Sequence, residues 1–534
     1  MAERAVILDG YVDEPALLGV PPYISTEPRL LAGVLEELEI PWEYITIDDY
    51  RKKGLPDSEI LIVHGGVTVP GKYLGGMPLS RRECWEIGVK AHDRVTYLGG
   101  PLAEGNIESY DHSSLKDLSA YIHHSLVADP IDRWITADER ERWLLKGAKV
   151  VTEHPLYPEP LMAEISTYRG CVRYFTGGCS FCSEPGYGKP EFREQRDIIA
   201  EMEKLYSLGI RNFRLGGQSC MISYKAQGVG SSEKPVPMPG ELNKLFSGIR
   251  DRCPGIKVLH VDNANPAVMS AYPDETAEIL DILVKYTTSG NVLALGMESA
   301  DPVVIRDNNL NSSPEDVEDA IRMINKAGRD IGENGMPKML PGINLLAGLK
   351  GERPETFKLN FDFLQRILDD GLLLRRINIR QIMSDRSDFV NRYPKEFRTF
   401  KATVREEIDR PMLVKMLPVG SILKDVYMEE HRGKLTFGRQ IGTYPLLVGV
   451  EYQLELGSYH DISITGHGYR SITGVHHPFF IDRASYSELK ALPGIGEKRA
   501  AKIFRSRPRS ADDLRKLVDE DIVDVVLRYA GFSV

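Results

Sequence analysis

The chain has 534 residues, of which 42% are hydrophobic and 27% are charged, and its formal net charge is −10. Because this length exceeds what one hydrophobic core organises, we expect about three or four domains. The composition is that of a soluble globular protein and excludes wholesale disorder. The acidic balance excludes a protein that coats nucleic acid nonspecifically, since phosphate binding needs clustered Lys and Arg.

The sequence contains no apolar stretch with the length of a membrane span and no signal-peptide pattern at its start. Six cysteines in a chain of this length are too few for a disulfide framework. We therefore expect a cytoplasmic protein that does not associate with a membrane.

The first 150 residues alternate short apolar runs with helical patterns. The runs cover residues 5–9, 43–48, 59–64 and 95–98, and helices are predicted over 27–38 and 81–90. This alternation predicts an α/β fold with a parallel, Rossmann-like sheet. Gly-rich turns follow two of the strands, at the strand ends where open α/β sheets bind ligands. The candidate binding residues in these turns are His64, Gly65, Gly66, Val67, Gly99, Gly100, Pro101 and Leu102.

A second alternating series occupies residues 151–395. Six strand-like segments begin near residues 162, 212, 257, 292, 343 and 376, and helical patterns over 196–208, 275–286 and 315–327 lie between them. This order predicts a partial or full parallel (β/α) barrel with its chemistry at the carboxyl ends of the strands. Residues 396–480 contain a linker and a small antiparallel β module, and residues 481–534 are predicted to be helical.

Three of the six cysteines, Cys171, Cys179 and Cys182, lie within twelve residues. Three thiolates can each hold one iron of a [4Fe–4S] cluster, which leaves the fourth iron open to bind a substrate or cofactor. A structural zinc site normally needs a fourth Cys or His close by, and this loop has none. The dispersed Cys84, Cys220 and Cys253 are typical of small buried hydrophobic residues.

The segment 165–185 resembles the cluster loop of radical S-adenosylmethionine (SAM) enzymes. In that superfamily an Arg-Gly-Cys after the first barrel strand begins a Cys-x3-Cys-x2-Cys motif. Here Arg169-Gly170-Cys171 precedes a gap of seven residues instead of three, and Phe181 occupies the usual aromatic position. The resemblance implies that Cys171, Cys179 and Cys182 bind the cluster that reduces SAM.

Three further segments resemble the SAM contacts of this superfamily in the same order along the chain. Residues 216–218 resemble its Gly-Gly-Glu motif, which receives the methionine amino group, with Gln218 in place of the acid. Residues 296–299 resemble its Gly-x-Glu-Ser segment, and residues 342–348 resemble the segment that flanks the adenine. The resemblance implies SAM contacts by Phe181, Gly216, Gly217, Gln218, Glu298 and Asn344.

An α/β domain directly before such a barrel resembles a cobalamin-binding domain. The resemblance implies that the two Gly-rich turns, residues 64–67 and 99–102, bind cobalamin. The Asp-x-His-x-x-Gly motif that supplies a histidine to cobalt elsewhere is missing, so cobalamin would be bound without that ligand. Nucleotide binding is the competing interpretation, although no Gly-x-Gly-x-x-Gly motif follows the first strand.

The carboxyl-terminal modules resemble a TRAM-type β domain and, over residues 492–503, a helix-hairpin-helix. The turn of a helix-hairpin-helix points backbone N–H groups at an anion such as phosphate. Both types occur in proteins that handle nucleic acid, which keeps nucleic acid open as a partner. A basic helical face is more often solvated surface or a docking site for a protein, so nucleic acid is disfavoured.

Over essentially the whole chain, these modules resemble an archaeal family of cobalamin-dependent radical SAM methyltransferases. The resemblance implies a class B enzyme that methylates an unactivated sp3 carbon and takes electrons from a low-potential donor. It also implies that the enzyme acts on a protein substrate in a methanogen. The modified residue would be a glutamine of the methyl-coenzyme M reductase α subunit, which becomes 2-methylglutamine.

The alternative is a radical SAM enzyme that modifies tRNA, such as a methylthiotransferase. Those enzymes carry a second cluster on three cysteines of their first domain, where this chain has only Cys84. A third reading, a noncatalytic nucleic-acid-binding protein with a structural cluster, leaves residues 216–218 and Glu298 without a role.

Overall fold

The structure is a computed structural model that describes residues 4–12, 19–66, 75–105, 108–382 and 389–533. The chain divides into two compact units, one formed by Met1–Phe175 with Glu184–Asn263 and the other by Thr176–Ser183 with Ala264–Val534. Within the described ranges, no helix is long and apolar enough to cross a membrane. The four-domain division at residues 150, 395 and 480 stays a prediction.

The first unit contains eleven strands and seven α-helices among its described residues. The strands are β1 (Ala5–Asp9), β2 (Tyr23–Ile24), β3 (Trp42–Thr46), β4 (Ile60–His64), β5 (Val95–Gly99), β6 (His112–Ser113), β7 (Met162–Ser166), β8 (Tyr168–Arg169), β9 (Glu191–Phe192), β10 (Asn212–Gly216) and β11 (Val258–Val261). The helices are α1 (Glu27–Glu37), α2 (Ile47–Lys53), α3 (Arg81–Lys90), α4 (Leu118–Val127), α5 (Ala137–Lys146), α6 (Gln195–Ser207) and α7 (Pro239–Arg252).

The amino-terminal sheet is parallel and has the strand order β3-β1-β4-β5-β6. This is the second-first-third-fourth-fifth order of flavodoxin-like sheets, whose ligands bind where the order reverses, between the first and third strands. The predicted strand over 43–48 ends earlier, at Thr46. The Thr46 hydroxyl accepts a hydrogen bond from the Asp49 N–H at 3.1 Å and so caps α2, which begins at Ile47.

The second sheet of this unit has the order β11-β10-β7-β2 and is also parallel. Three of its strands are the first three of the predicted barrel series. The pairing places Glu164, Arg214 and His260 in one row across β7, β10 and β11. The edge strand β2 was not predicted, because two residues are too short for a periodic pattern.

The second unit contains eight strands and eleven α-helices among its described residues. The strands are β12 (Asn291–Glu298), β13 (Met339–Ala347), β14 (Arg376–Gln381), β15 (Ile422–Arg432), β16 (Leu435–Gln440), β17 (Leu447–Val450), β18 (Tyr459–His467) and β19 (Ser471–His477). The helices are α8 (Pro266–Ala271), α9 (Pro273–Tyr286), α10 (Pro302–Asp307), α11 (Pro314–Gly328), α12 (Pro354–Asp369), α13 (Pro394–Thr403), α14 (Arg410–Met416), α15 (Tyr486–Lys490), α16 (Glu497–Ser506), α17 (Ala511–Arg515) and α18 (Glu520–Val526).

Strands β12, β13 and β14 form a parallel sheet and are the last three strands of the predicted series. Strands β15 to β19 close into a barrel in which only the β17–β19 pair is parallel. This confirms a small β module at the predicted place. One hydrophobic core, which includes Val448, Ile464, Ile503 and Val523, is shared by the barrel and the terminal helices.

Candidate functional site

The Gly-rich turns of the amino-terminal sheet lie at its carboxyl edge, as predicted. The main chain of His64 accepts a hydrogen bond from the Gly10 N–H at 2.9 Å, and the Gly65 N–H donates to the Gly99 carbonyl at 2.7 Å. Gly100 has a φ of +77°, and a Cβ at this position would lie 2.7 Å from the Gly65 carbonyl oxygen. These glycines let the two turns approach each other closely.

His64 ends β4 at the reversal of strand order. Its side chain is buried, and within the described structure its Nδ1 has no hydrogen-bond partner. Burial lowers the pKa of His64 to about 4, so the ring is neutral at pH 7. A buried polar atom without a partner is costly, which marks this position as one that a bound group could satisfy. Val67, the last predicted residue of this turn, lies outside the described residues.

Asp9 ends the neighbouring strand β1 and is fully buried at the same edge. Its carboxylate accepts hydrogen bonds from the Tyr44 hydroxyl and from the Tyr11 N–H, both at 2.9 Å. Burial raises the pKa of Asp9 to about 6 despite these two donors. Asp9 was not predicted as a site residue, because in the sequence it is only the polar end of an apolar run.

The cysteine loop crosses the boundary between the two units. Cys171 belongs to the first unit and is half-buried, whereas Cys179 and the exposed Cys182 belong to the second unit. The Cys182 N–H donates to the Cys179 carbonyl at 3.0 Å, which places these two cysteines in one tight turn. In the part of the chain that the structure describes, no group of three or more His, Cys, Asp or Glu side chains could hold a metal ion.

Arg169, which precedes Cys171 by two positions, is fixed by four neighbours in the first unit. Its guanidinium donates to Asp117 at 2.9 Å and to Glu191 at 3.3 Å. The same group lies 4.8 Å from the ring centre of Trp134 and 5.4 Å from that of Tyr187. Charge pairing and cation–π contacts on both aromatic rings hold the start of the loop in one orientation.

The Gly216-Gly217-Gln218 turn begins at the last residue of β10, at the predicted place. The Gln218 side chain is fully buried, and its carboxamide nitrogen donates to the carbonyl oxygens of Leu215 and Asp262, each at 3.0 Å. Its carboxamide oxygen accepts from the Thr167 hydroxyl at 3.0 Å. The turn therefore links the ends of β7, β10 and β11.

A buried charge cluster lies against this turn and was not predicted. The Arg214 guanidinium forms ion pairs with Glu164 and Asp262, and all three side chains are fully buried. Burial raises the pKa of Glu164 to about 7, although Arg214 acts in the opposite direction. A Cβ at Gly216 would lie 1.9 Å from a Glu164 carboxylate oxygen and 2.4 Å from an Arg214 nitrogen. Gly216 is thus required by the space that the ion pair occupies.

The strand ends of the second unit carry Glu298 and Asn344, as predicted, together with two residues that sequence reasoning missed. The Asn378 amide donates to the Asn344 side-chain oxygen at 3.1 Å, and Arg380 donates to the Asn378 side-chain oxygen at 3.2 Å. Burial raises the pKa of Glu298 to about 8, and the charge of Arg380 partly offsets this. Glu298 also has a φ of +64°, a strained backbone conformation that is typical of functional sites.

Phe181, the aromatic residue of the cysteine loop, packs within the second unit. It contacts a small hydrophobic cluster built on Val304, Leu349 and Phe389. In the same unit, the Ser180 hydroxyl and N–H donate to the Asn308 side-chain and main-chain oxygens at 2.9 and 3.0 Å. The segment between Cys179 and Cys182 is therefore anchored to α10 through Phe181 and to its C-cap residue Asn308 through Ser180.

Comparison with known proteins identifies two modules. A family model for the radical SAM superfamily matches residues 165–364, and a helix-hairpin-helix model matches residues 483–506. Among solved structures, the radical SAM methyltransferase TsrM from Kitasatospora setae, with its tryptophan substrate and a SAM analogue bound, is similar at a TM-score of 0.47 and 14% identity. This similarity covers 70% of this chain and 73% of TsrM.

Two curated relatives cover almost the whole chain. The uncharacterized protein MJ0274 of Methanocaldococcus jannaschii is 46% identical over 509 residues, which is 89% of this chain and 93% of the relative. An uncharacterized protein of Archaeoglobus fulgidus is 39% identical and covers 95% of this chain and 96% of its own length. The chain thus belongs to the archaeal family of MJ0274, and it contains a radical SAM domain, whose cofactors are a [4Fe–4S] cluster and SAM.

Proposed function

We propose that the protein is a cobalamin-dependent radical SAM C-methyltransferase that methylates an unactivated sp3 carbon. The observation that carries the proposal is the radical SAM match over residues 165–364, which contains the cysteine loop and the Gly-Gly-Gln and Glu298 motifs. A flavodoxin-like sheet precedes this domain in the chain. A radical SAM methyltransferase, TsrM, is also among the proteins of similar fold.

In this proposal, the thiolates of Cys171, Cys179 and Cys182 hold the [4Fe–4S] cluster and leave one iron open for SAM. The assignment rests on the sequence motif and on the soft thiolate chemistry that iron–sulfur clusters require. Arg169 and Phe181 orient the two ends of the loop through the contacts described above. The proposed SAM contacts are Phe181, Gly216, Gly217, Gln218, Glu298 and Asn344.

The residues at the carboxyl edge of the amino-terminal sheet fit a bound cobalamin. The supporting observation is the buried Nδ1 of His64, which no protein group satisfies within the described structure and which lies where flavodoxin-like sheets bind ligands. We propose that residues 64–67 and 99–102 hold the cobalamin. When bound, cobalamin would supply the methyl group, and SAM on the reduced cluster would supply the radical that removes hydrogen. The protein's own groups position both and exclude water and oxygen.

We further propose that the substrate is a protein glutamine in the α subunit of methyl-coenzyme M reductase, which becomes 2-methylglutamine. This assignment rests on the resemblance to the archaeal methyltransferase family, and the 46% identical relative comes from Methanocaldococcus jannaschii. The proposal also requires a low-potential electron donor, because SAM is cleaved by an electron from the reduced cluster.

The test uses anaerobically purified protein with its iron, sulfide and cobalt content measured. The reduced protein is incubated with SAM and with methyl-coenzyme M reductase α subunit that lacks the modification. We expect a mass gain of one methyl group on a single glutamine peptide, and we expect this gain to require added cobalamin. Methyl transfer to tRNA but not to protein would favour the alternative enzyme class. Transfer that is independent of cobalamin would refute the role of the amino-terminal sheet.

A further inference from the structure

We infer that the amino edge of the β12-β13-β14 sheet carries a binding site for a diphosphate group, formed by side chains that we name the arginine cluster. The arginine cluster consists of Arg375, Arg376, Arg405 and Arg470. This inference goes beyond the proposed function, because the proposed SAM contacts Glu298 and Asn344 lie on β12 and β13 towards the carboxyl edge of the sheet.

The fold brings the arginine cluster together from three separate segments of the second unit. Arg375 precedes β14, and Arg376 is its first residue. Arg405 lies in the π-helical segment Val404–Asp409, and Arg470 lies in the turn between β18 and β19. One segment of the cluster therefore has a conformation that is rare in proteins and frequent at functional sites.

The arginine cluster has a single carboxylate beside it. The Arg470 Nε lies 3.9 Å from a carboxylate oxygen of Asp409, a distance too long for a hydrogen bond. Within the described ranges this is the only ion pair of the cluster. Lys401, whose pKa is lowered by burial and by the charges of Arg405 and Arg470, adds a fifth cation. Five positive charges thus surround one negative charge.

The positive charges of the arginine cluster act on one another. Burial lowers the pKa of Arg375 to about 10, and Arg470 and Arg376 contribute to this by repulsion. Burial and the charges of Arg376 and Arg405 also lower the pKa of Arg470, although Asp409 acts in the opposite direction. A lowered pKa means that the charged form is disfavoured, so these side chains are held together at a cost in free energy. A bound anion with several charges would reduce that cost.

Tyr444, in the loop between β16 and β17, fixes two members of the arginine cluster. The Arg376 guanidinium carbon lies 3.4 Å from the centre of the Tyr444 ring, and Arg375 donates a hydrogen bond to the Tyr444 carbonyl oxygen at 3.1 Å. Stacking holds the guanidinium plane and leaves the N–H groups at its edge available. Tyr444 also has a φ of +57°, a strained conformation that is typical of functional sites.

The arginine cluster is open to solvent. Arg405 is exposed, and the Arg470 side chain keeps 46% of its accessible surface, whereas the Asp409 side chain keeps only 10%. Arg375 and Arg376 are partly exposed. An anion from solution can thus reach the guanidinium groups, while the carboxylate of Asp409 is largely shielded.

The balance of charge selects the class of anion. Guanidinium groups bind phosphate and carboxylate oxygens in pairs, and a diphosphate offers such oxygens on two adjacent groups. The carboxylate of Asp409 is already present and leaves most of the positive charge unmatched. We therefore assign a compact anion with more charge than one carboxylate has.

A nucleic-acid backbone is less well matched, because it needs a basic surface that extends along several phosphates. The terminal helices do not extend the cluster in this way. Arg499 and Arg515 donate to the carboxylates of Asp519 and Glu520, each at 2.9 Å, so these cations are already paired.

The experiment measures the binding of inorganic pyrophosphate to the reconstituted full-length protein, by calorimetry and by the shift of the thermal unfolding midpoint at constant ionic strength. Citrate tests an anion with several carboxylates, and a single-stranded RNA tests a nucleic-acid backbone. The variants are Arg376→Gln, Arg470→Gln and Asp409→Asn. Arg528→Gln is the matched control, because it removes a guanidinium group at an exposed position of the same unit.

We expect a single pyrophosphate to bind and to raise the unfolding midpoint more than sodium chloride does at the same ionic strength. Arg376→Gln and Arg470→Gln should each weaken this binding about tenfold or more, since each loses a charge-assisted contact. Asp409→Asn should strengthen it, because the negative charge beside the cluster is removed. Arg528→Gln should bind as the wild type does.

Pyrophosphate that binds no better than citrate would overturn the assignment to phosphate. Equal binding by the wild type and Arg376→Gln, or an equal loss in Arg528→Gln, would overturn the site, because the anion would then bind elsewhere or respond only to total charge. RNA that binds through Arg376 and is not displaced by pyrophosphate would make the cluster a nucleic-acid interface instead. SAM is not used in this test, so its result does not depend on the proposed function.

Discussion

The two sets of parallel strand ends in this protein differ in whether their polar side chains are buried and fully bonded or partly exposed. In the first unit, the ends of β7, β10 and β11 are closed: the Gln218 carboxamide is fully bonded, and the Arg214 ion pairs are fully buried. In the second unit, the ends of β12, β13 and β14 are open, because Glu298, Asn344 and Arg380 are each partly exposed. The closed set supplies rigidity, and the open set supplies side chains that a ligand can reach.

The difference shows that a sequence motif locates a turn but does not identify which of its atoms are available to a ligand. Gly216 and Gln218 match a binding motif, yet the first makes room for an ion pair and the second braces three strands. Glu298 matches a motif of similar length, and its carboxylate lies at a strained, partly exposed position. The contrast leads to three predictions, given in order of the size of the expected effect.

The largest effect is expected at the closed end. Arg214→Met would leave the Glu164 and Asp262 carboxylates buried without a countercharge, which should lower the free energy of unfolding by about 3–5 kcal/mol. The matched change at the open end, Arg380→Met, should cost less than about 1 kcal/mol because that side chain is partly exposed. Denaturant unfolding measures both, and equal losses would contradict the division into closed and open ends.

The second effect is expected on ligand affinity at the open end. Glu298→Ala should weaken SAM binding by about 10- to 100-fold, because a hydrogen bond to a charged group contributes about 1.5–3 kcal/mol. The unfolding midpoint should change little, because the Glu298 side chain is only partly buried. Glu333→Ala, at an exposed position of the same unit, is the control. Unchanged SAM affinity in Glu298→Ala would remove Glu298 from the proposed site.

The third and smallest effect concerns pH. The pKa of Glu298 is raised by burial from 4.5 to about 8, so the folded protein holds this proton more tightly than the unfolded chain does. The group therefore favours the folded state most below about pH 4.5, and this contribution is lost as the pH rises towards 8. Relative to Glu298→Gln, the ligand-free wild type should lose about 1–2 kcal/mol over that interval after allowance for partial exposure. A constant difference between the two proteins would contradict the shift.

Much of the fold could be predicted from local patterns. The strand over residues 5–9 and the helix over 81–90 have the bounds that the apolar periodicity indicated. The strand predicted over 43–48 was wrong at its end, because Thr46 caps a helix there. The strands β2 and β6 have two residues each and leave no periodic pattern to detect.

The candidate site was predictable only in part, because its bonds join residues far apart in the chain. Thr167 and Gln218 are 51 positions apart, and no local pattern indicates their hydrogen bond. The buried ion pair of Arg214 could not be recognised either, since a charged residue in a half-polar strand is typical of a solvated face. The cysteine motif is different, because its proposed ligands are close in sequence and their chemistry is specific.

The central claim is that a cluster on Cys171, Cys179 and Cys182 cleaves SAM, and the most direct test is the yield of 5′-deoxyadenosine from the reduced, anaerobic protein. Each of Cys171→Ala, Cys179→Ala and Cys182→Ala should abolish this yield and lose the cluster absorbance. Cys253→Ala, which changes a buried cysteine elsewhere in the chain, should keep both. Cleavage of SAM that survives in any of the three single variants would contradict the account.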